Sequence, residues 1–312
     1  MEMTNMSENT ETIKTTIEES VEETIENVKT KKKPSLVAAI IFAVLAMLAF
    51  LAVQIVATFA YSTIEGAKLL AQYADDIEGY SLAIMSRASD QTFLSMATAI
   101  AEIALCIVFA LWYYFGFARK TSKEERKEIN SNVFKVSVLL KMIFLALGFY
   151  VIDIFIANLV ALFSPDAAAL FEDTMGLLDF NMPITVIAVT ILAPIAEELC
   201  FRGVAFGFLK KATSNKWVVI LVTAALFAIM HLNLMQSLYV IPLAIIMGYV
   251  TYKYQSVLPS MTIHVVNNLF SVCSANLPEA LTSSFAYYFL LMAVSFFMLA
   301  FILFRENKVK NA

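Results

Sequence analysis

Eight apolar stretches dominate the sequence, at 35–61, 91–117, 133–163, 183–209, 217–235, 237–252, 257–273 and 285–304. A hydrocarbon layer of about 30 Å takes roughly 20 helical residues to cross, and without water every backbone N–H and C=O must be paired within the protein. The expected fold is therefore all-α, a polytopic membrane bundle of about eight transmembrane helices. Composition agrees: 60% of residues are hydrophobic, 15% are charged, and the mean hydropathy is +0.75. A soluble chain carries about 25% charged residues.

The charges between the stretches alternate in sign. Asp75, Asp76, Glu78 and Asp90 follow the first, and Asp166, Glu172, Asp173 and Asp179 follow the third. Arg119, Lys120, Lys123, Arg126 and Lys127 follow the second, and Lys210, Lys211 and Lys216 the fourth. By the positive-inside rule the basic connections are cytoplasmic, so eight spans put both termini in the cytoplasm of a multi-pass cell-membrane protein. The third span is longer than needed and is expected to tilt or project. The sixth and seventh are barely long enough and are either full spans or partial, re-entrant ones. The fifth and sixth are joined by a residue or two, as a sharp hairpin or a broken continuous helix.

Residues 1–34 form an acidic cytosolic tail, either disordered or an amphipathic helix with Ile13, Ile17, Val21, Ile25 and Val28 on one stripe. Residues 35–305 form one helical domain and 306–312 a cytosolic tail. The net charge of −4 comes with no dense Lys/Arg array, which excludes nucleic acid as a partner. The bilayer is the partner that composition implies. Cys106, Cys200 and Cys273 lie inside spans at no metal-ligand spacing and read as small apolar fillers.

Within the fourth span, Glu197, Glu198 and Arg202 interrupt the apolar run. Each charge at a helix centre costs about 2.5 to 3.5 kcal/mol on insertion scales, so these groups need an interior partner or a wet cavity. Glu198 and Arg202, four apart, share a face and can neutralise each other. Glu197 is about 100° away and free to point elsewhere. The two histidines of the chain, His231 and His264, also fall in spans. Each belongs to a four-residue pair, Phe227 with His231 and His264 with Asn268. These groups can hydrolyse an amide: Glu197, with His231 beside it, deprotonates a water, and His264 and Asn268 donate to the developing oxyanion. Gly203 allows close helix packing at the site. Asn233, Gln236 and Tyr239 read as hairpin hydrogen-bonding groups.

The stretch from Glu197 to Gly203 resembles the EExxxR motif of the CPBP intramembrane protease family, described as metalloproteases or glutamic proteases. That family includes type II CAAX prenyl endopeptidases and the bacterial Abi proteins linked to bacteriocin immunity. Phe227 to His231 resembles its FxxxH motif and His264 to Asn268 its HxxxN motif, in the family's order, over a core of 183–272. The resemblance implies a CAAX protease-like helical fold and an endopeptidase acting on a membrane-associated peptide or protein. It implies no metal or other cofactor, Glu197 as base, His231 orienting the water, His264 and Asn268 as oxyanion site, and Glu198 with Arg202 as the supporting pair. Asn267 is left without a role.

Two alternatives remain open on the residues. One is a zinc protease with Glu197, His231 and His264 as ligands, although no HExxH stretch is present. The other is a non-catalytic binding or transport protein with Glu197 and His231 as a proton relay. A transporter is expected to spread acidic groups over more spans and to show a repeat, and neither is apparent in the sequence.

Overall fold

A computed structural model describes residues 33–275, 277–282 and 284–310. The acidic tail up to residue 32, with its possible amphipathic stripe, lies outside the described residues. The rest is helical. The helices are α1 (Leu36–Gln72), α2 (Ile77–Ala88), α3 (Gln91–Gly116), α4 (Lys123–Val133), α5 (Val136–Phe163) and α6 (Pro165–Gly176). They are followed by α7 (Pro183–Ala212), α8 (Lys216–Met230), α9 (Leu234–Tyr254), α10 (Leu258–Ala275), α11 (Glu279–Thr282) and α12 (Phe285–Lys310).

Helix starts follow local chemistry. Ser35, Asp76, Asp90, Ser122, Asn215 and Asn233 each accept a hydrogen bond from an early backbone N–H of the helix that follows, which satisfies a donor that no intrahelical carbonyl reaches. Pro165 and Pro183 open α6 and α7, where a missing N–H costs nothing.

Among the described residues six helices are long and apolar enough to cross a membrane, namely α1, α3, α5, α7, α9 and α12, so the chain is a multi-pass membrane protein. Two of the eight expected crossings fall short on that measure. α8 has 15 residues, about 22 Å, because the chain turns at His231 and Leu232, whose φ is 52°. α10 has 18 residues and carries Ser260, His264, Asn267, Asn268, Ser271 and Ser274. The sixth stretch is longer than expected, 21 residues, and it packs along α8 as a sharp hairpin. The connections expected as loops hold the short helices α2, α4 and α6. At the other end α12 runs on to Lys310, where a tail from 306 was expected.

α7 lies at the centre, in contact with α1, α3, α8, α9 and α10, while α12 rests against α5 at the edge. Close approach depends on small residues. Ala39, Ala43 and Ala46 form a fully buried stripe on α1. Gly203 and Gly207 on α7 accept the rings of Tyr113 on α3 and of Phe117, which caps it; a Cβ on Gly203 would lie 2.9 Å from Tyr113, and one on Gly207 closer still to Phe117. Cys200 and Cys106 direct their Sγ atoms at the carbonyls of Ala46 and Leu192, and Cys200 is buried, so these two act as small packing groups. The outer surface carries Phe42, Ile55, Phe59, Phe155, Phe163, Phe289 and Phe296, all exposed, as a lipid-facing surface requires.

Candidate active site

The backbone of α7 is irregular where the polar side chains sit. Ala188–Leu192 and Leu199–Ala205 are π-helical, on either side of Ala193–Glu198. Such widened turns recur at functional sites, and here the first has a local cause. Ala193 N–H bonds back five residues to the Ala188 carbonyl. The carbonyl of Val189 would next take the N–H of residue 194, but that residue is proline and has none. Asn268 Nδ2 from α10 donates to the Val189 carbonyl instead, at 3.1 Å. One N–H of the Asn268 amide remains for another acceptor.

One turn further on, Arg202 Nη1 donates to Glu198 Oε1 at 2.8 Å, with both side chains fully buried. Arg202 Nη2 donates to the Ala244 carbonyl of α9 at 3.1 Å, and the guanidinium lies 4.5 Å from the centroid of the Phe227 ring. His264 Nδ1 donates to the same Glu198 oxygen at 3.1 Å. The pair expected from the four-residue spacing thus exists, and it ties together α7, α9 and α10.

Glu197 turns away from this pair, 15% exposed at its side chain, and its Oε2 lies 3.7 Å from His264 Nε2. A carboxylate can only accept, so Nδ1 carries a proton. Nε2 is then an acceptor in the neutral ring and a donor in the imidazolium. His231 stands at the end of α8, and its Nδ1 donates to the Phe227 carbonyl at 2.9 Å, which leaves Nε2 as the accepting atom of a neutral ring. The Phe227 ring meets His231 at 4.9 Å and His264 at 5.6 Å, both edge-on. The two imidazoles therefore flank one phenyl ring, and the one within salt-bridge distance of Glu197 is His264. Among the described residues no three His, Cys, Asp or Glu side chains are grouped to hold a metal ion, and this includes the zinc trio of Glu197, His231 and His264.

Asn233 and Gln236 meet in the hairpin as expected, with Asn233 Oδ1 accepting from the Gln236 N–H at 3.1 Å. Tyr239 does not serve there. It packs edge-on against Phe171 of α6 at 6.0 Å.

Two acids escaped the sequence reading. Glu102 on α3 is 6% exposed, with a buried Oε2 that has no partner. Asp153 on α5 is 6% exposed and accepts from Asn267 Nδ2 of α10 at 3.1 Å, which gives Asn267 a contact. The expectation that acidic groups do not extend over other spans is therefore corrected. Glu65 on α1 is buried as well but is paired with Lys68 and Arg87; the other buried carboxyl groups come from α3, α5 and α7. The insertion cost that singled out Glu197 applies equally to the lone acid of each of the other two helices.

No curated protein and no solved structure matches the chain. Apart from Glu102 and Asp153, every side chain just described around Glu198 lies within residues 179–270, which match the family described as type II CAAX prenyl endopeptidase Rce1-like, so the recognition made on the three motifs holds over that segment.

Proposed function

We propose that the chain is an intramembrane endopeptidase that hydrolyses a peptide bond in a membrane-associated peptide or protein. The observation that carries this reading is the contact of His264 with both acids of the EExxxR stretch, inside the segment that matches the endopeptidase family. Glu197, the acid not committed to Arg202, takes the proton of a water whose oxygen bonds to the scissile carbonyl carbon, and returns it to the leaving amine as the C–N bond breaks; the accepting Nε2 of His231 helps to orient that water. His264 as imidazolium and the remaining N–H of Asn268 donate to the oxyanion. Glu198 and Arg202 hold His264 in place. No step requires a metal ion. The cytoplasmic placement of the basic connections follows from the positive-inside rule.

Mass-spectrometric peptide profiling of membranes holding either the wild-type protein or Glu197→Ala tests this reading. Peptides that appear only with the wild type support it and identify the substrate, prenylated or not. Identical profiles count against it.

The carboxyl groups of Glu102 and Asp153 favour a second reading, a proton-coupled transporter. Wild-type vesicles that move protons with a solute yet cleave no peptide support that reading.

A further inference from the structure

At the basic end of the bundle a cavity of about 340 Å³ opens between α3, α7 and the α9–α10 turn. Its volume lies within the range of small-ligand sites, roughly 300 to 1,000 Å³. Arg202, Lys210 and Lys211 line it together with Tyr113, Gln255 and Ser256, and among the described residues no carboxylate does. Glu198 neutralises Arg202 from within the protein, so the two lysines leave the cavity cationic.

Its walls are built rather than incidental. Arg202 is 2% exposed, and its Nε–H is buried without an acceptor although both Nη atoms are paired. An unmade hydrogen bond of this kind costs about 1 to 3 kcal/mol. Lys210 Nζ is held by Gln255 Oε1, and Lys211 Nζ lies 4.2 Å over the Phe117 ring. Gln255 closes α9 in the left-handed conformation common at helix ends, with a φ of 52°.

We propose that this cavity takes the phosphate of an anionic phospholipid headgroup. Lys210 and Lys211 pair with its charge, and Tyr113, Gln255 and Ser256 donate to its oxygens. Phe117, Phe206 and Val257 complete the wall and suit the glycerol and first methylenes better than they suit a free ion. Position favours a lipid as well. The cavity is lined by the C-terminal end of α7, and its lining residues Phe117 and Gln255 lie within three residues in sequence of Arg119, Lys120 and Lys253. Basic pockets between helices at this level bind anionic headgroups, and each nearby Lys or Arg contributes about 1 kcal/mol of attraction.

The test reads binding without cleavage. The delipidated full chain in neutral detergent is unfolded by heat with phosphatidylglycerol, phosphatidylcholine or inorganic phosphate. Phosphatidylglycerol is expected to raise Tm by about 3 °C or more, and the other two are not. The Lys210→Gln/Lys211→Gln variant should lose most of that shift, whereas Lys123→Gln/Lys127→Gln on α4 should keep it. An equal shift with phosphatidylcholine overturns the proposal, as does an undiminished shift in Lys210→Gln/Lys211→Gln. A full shift with inorganic phosphate assigns the cavity to a free anion and overturns the lipid. If Lys210→Gln/Lys211→Gln does not fold, native mass spectrometry of the wild type decides: retention of phosphatidylglycerol over phosphatidylcholine supports the proposal, and no preference contradicts it.

Discussion

The imidazole of His264 stands between two adjacent glutamates, with Nδ1 3.1 Å from Glu198 and Nε2 3.7 Å from Glu197. It shares the Glu198 oxygen with Arg202, so it belongs both to the structural pair and to the side where chemistry is proposed. His264→Ala is therefore expected to fail twice. Peptide cleavage is lost, and stability falls by about 1.5 to 3 kcal/mol, the worth of a hydrogen bond to a charged group, because Arg202 still donates to the same oxygen. Thermal unfolding in detergent beside a cleavage assay reads both effects. A variant as stable as the wild type would place the ring outside the pair.

Glu198 and Arg202 make a separate case. Removing one member of a fully buried ion pair costs about 3 to 5 kcal/mol, whereas replacing both with apolar groups of similar volume is often neutral. Glu198→Ala should give a poor yield of folded protein. The Glu198→Leu/Arg202→Met double variant should recover much of the stability without recovering cleavage. Equal yields from Glu198→Ala and the wild type would contradict the buried pairing.

The α3–α7 contact depends on two absent methyl groups. Gly203→Ala and Gly207→Ala push a Cβ into Tyr113 and Phe117. Overpacking of this kind costs roughly 1 to 3 kcal/mol, and Gly207→Ala, with the closer contact, should unfold at the lower temperature. Phe117→Ala should rescue it. No rescue would mean that Gly207 matters for another reason.

Asp153 and Asn267 join α5 to α10 beside the site. Single truncations and the Asp153→Ala/Asn267→Ala double variant form a thermodynamic cycle. Its coupling is expected at about 0.6 to 1.7 kcal/mol, the range of interhelical hydrogen bonds in a membrane. Zero coupling would remove the bond from the list of forces that orient α10.

Much of this architecture was legible from residue patterns. Capping residues such as Asp90 and Asn215 mark helix starts, and the four-residue spacing of Glu198 and Arg202 foretold their pairing. The shortness of α8 was not legible, because it depends on Leu232 adopting a left-handed conformation that its side chain does not favour. Pro194 marks a disturbance in α7, but the π-helical register and the Asn268 bond to Val189 depend on where α10 lies. Glu102 and Asp153 carried the same signal of insertion cost as Glu197. They lack a charged neighbour one turn away, and only tertiary packing buries Glu102 and brings Asp153 to Asn267.

The direct measurement is the rate of peptide-bond cleavage by the purified wild type and by Glu197→Gln, both in detergent and both with Tm recorded. Glu197→Gln keeps the shape of the side chain and leaves the Glu198–Arg202 pair intact, so its Tm should match the wild type while cleavage falls by about 100-fold or more, the scale of a lost general base. Cleavage at the wild-type rate by a folded Glu197→Gln protein would contradict the role of this carboxylate in hydrolysis.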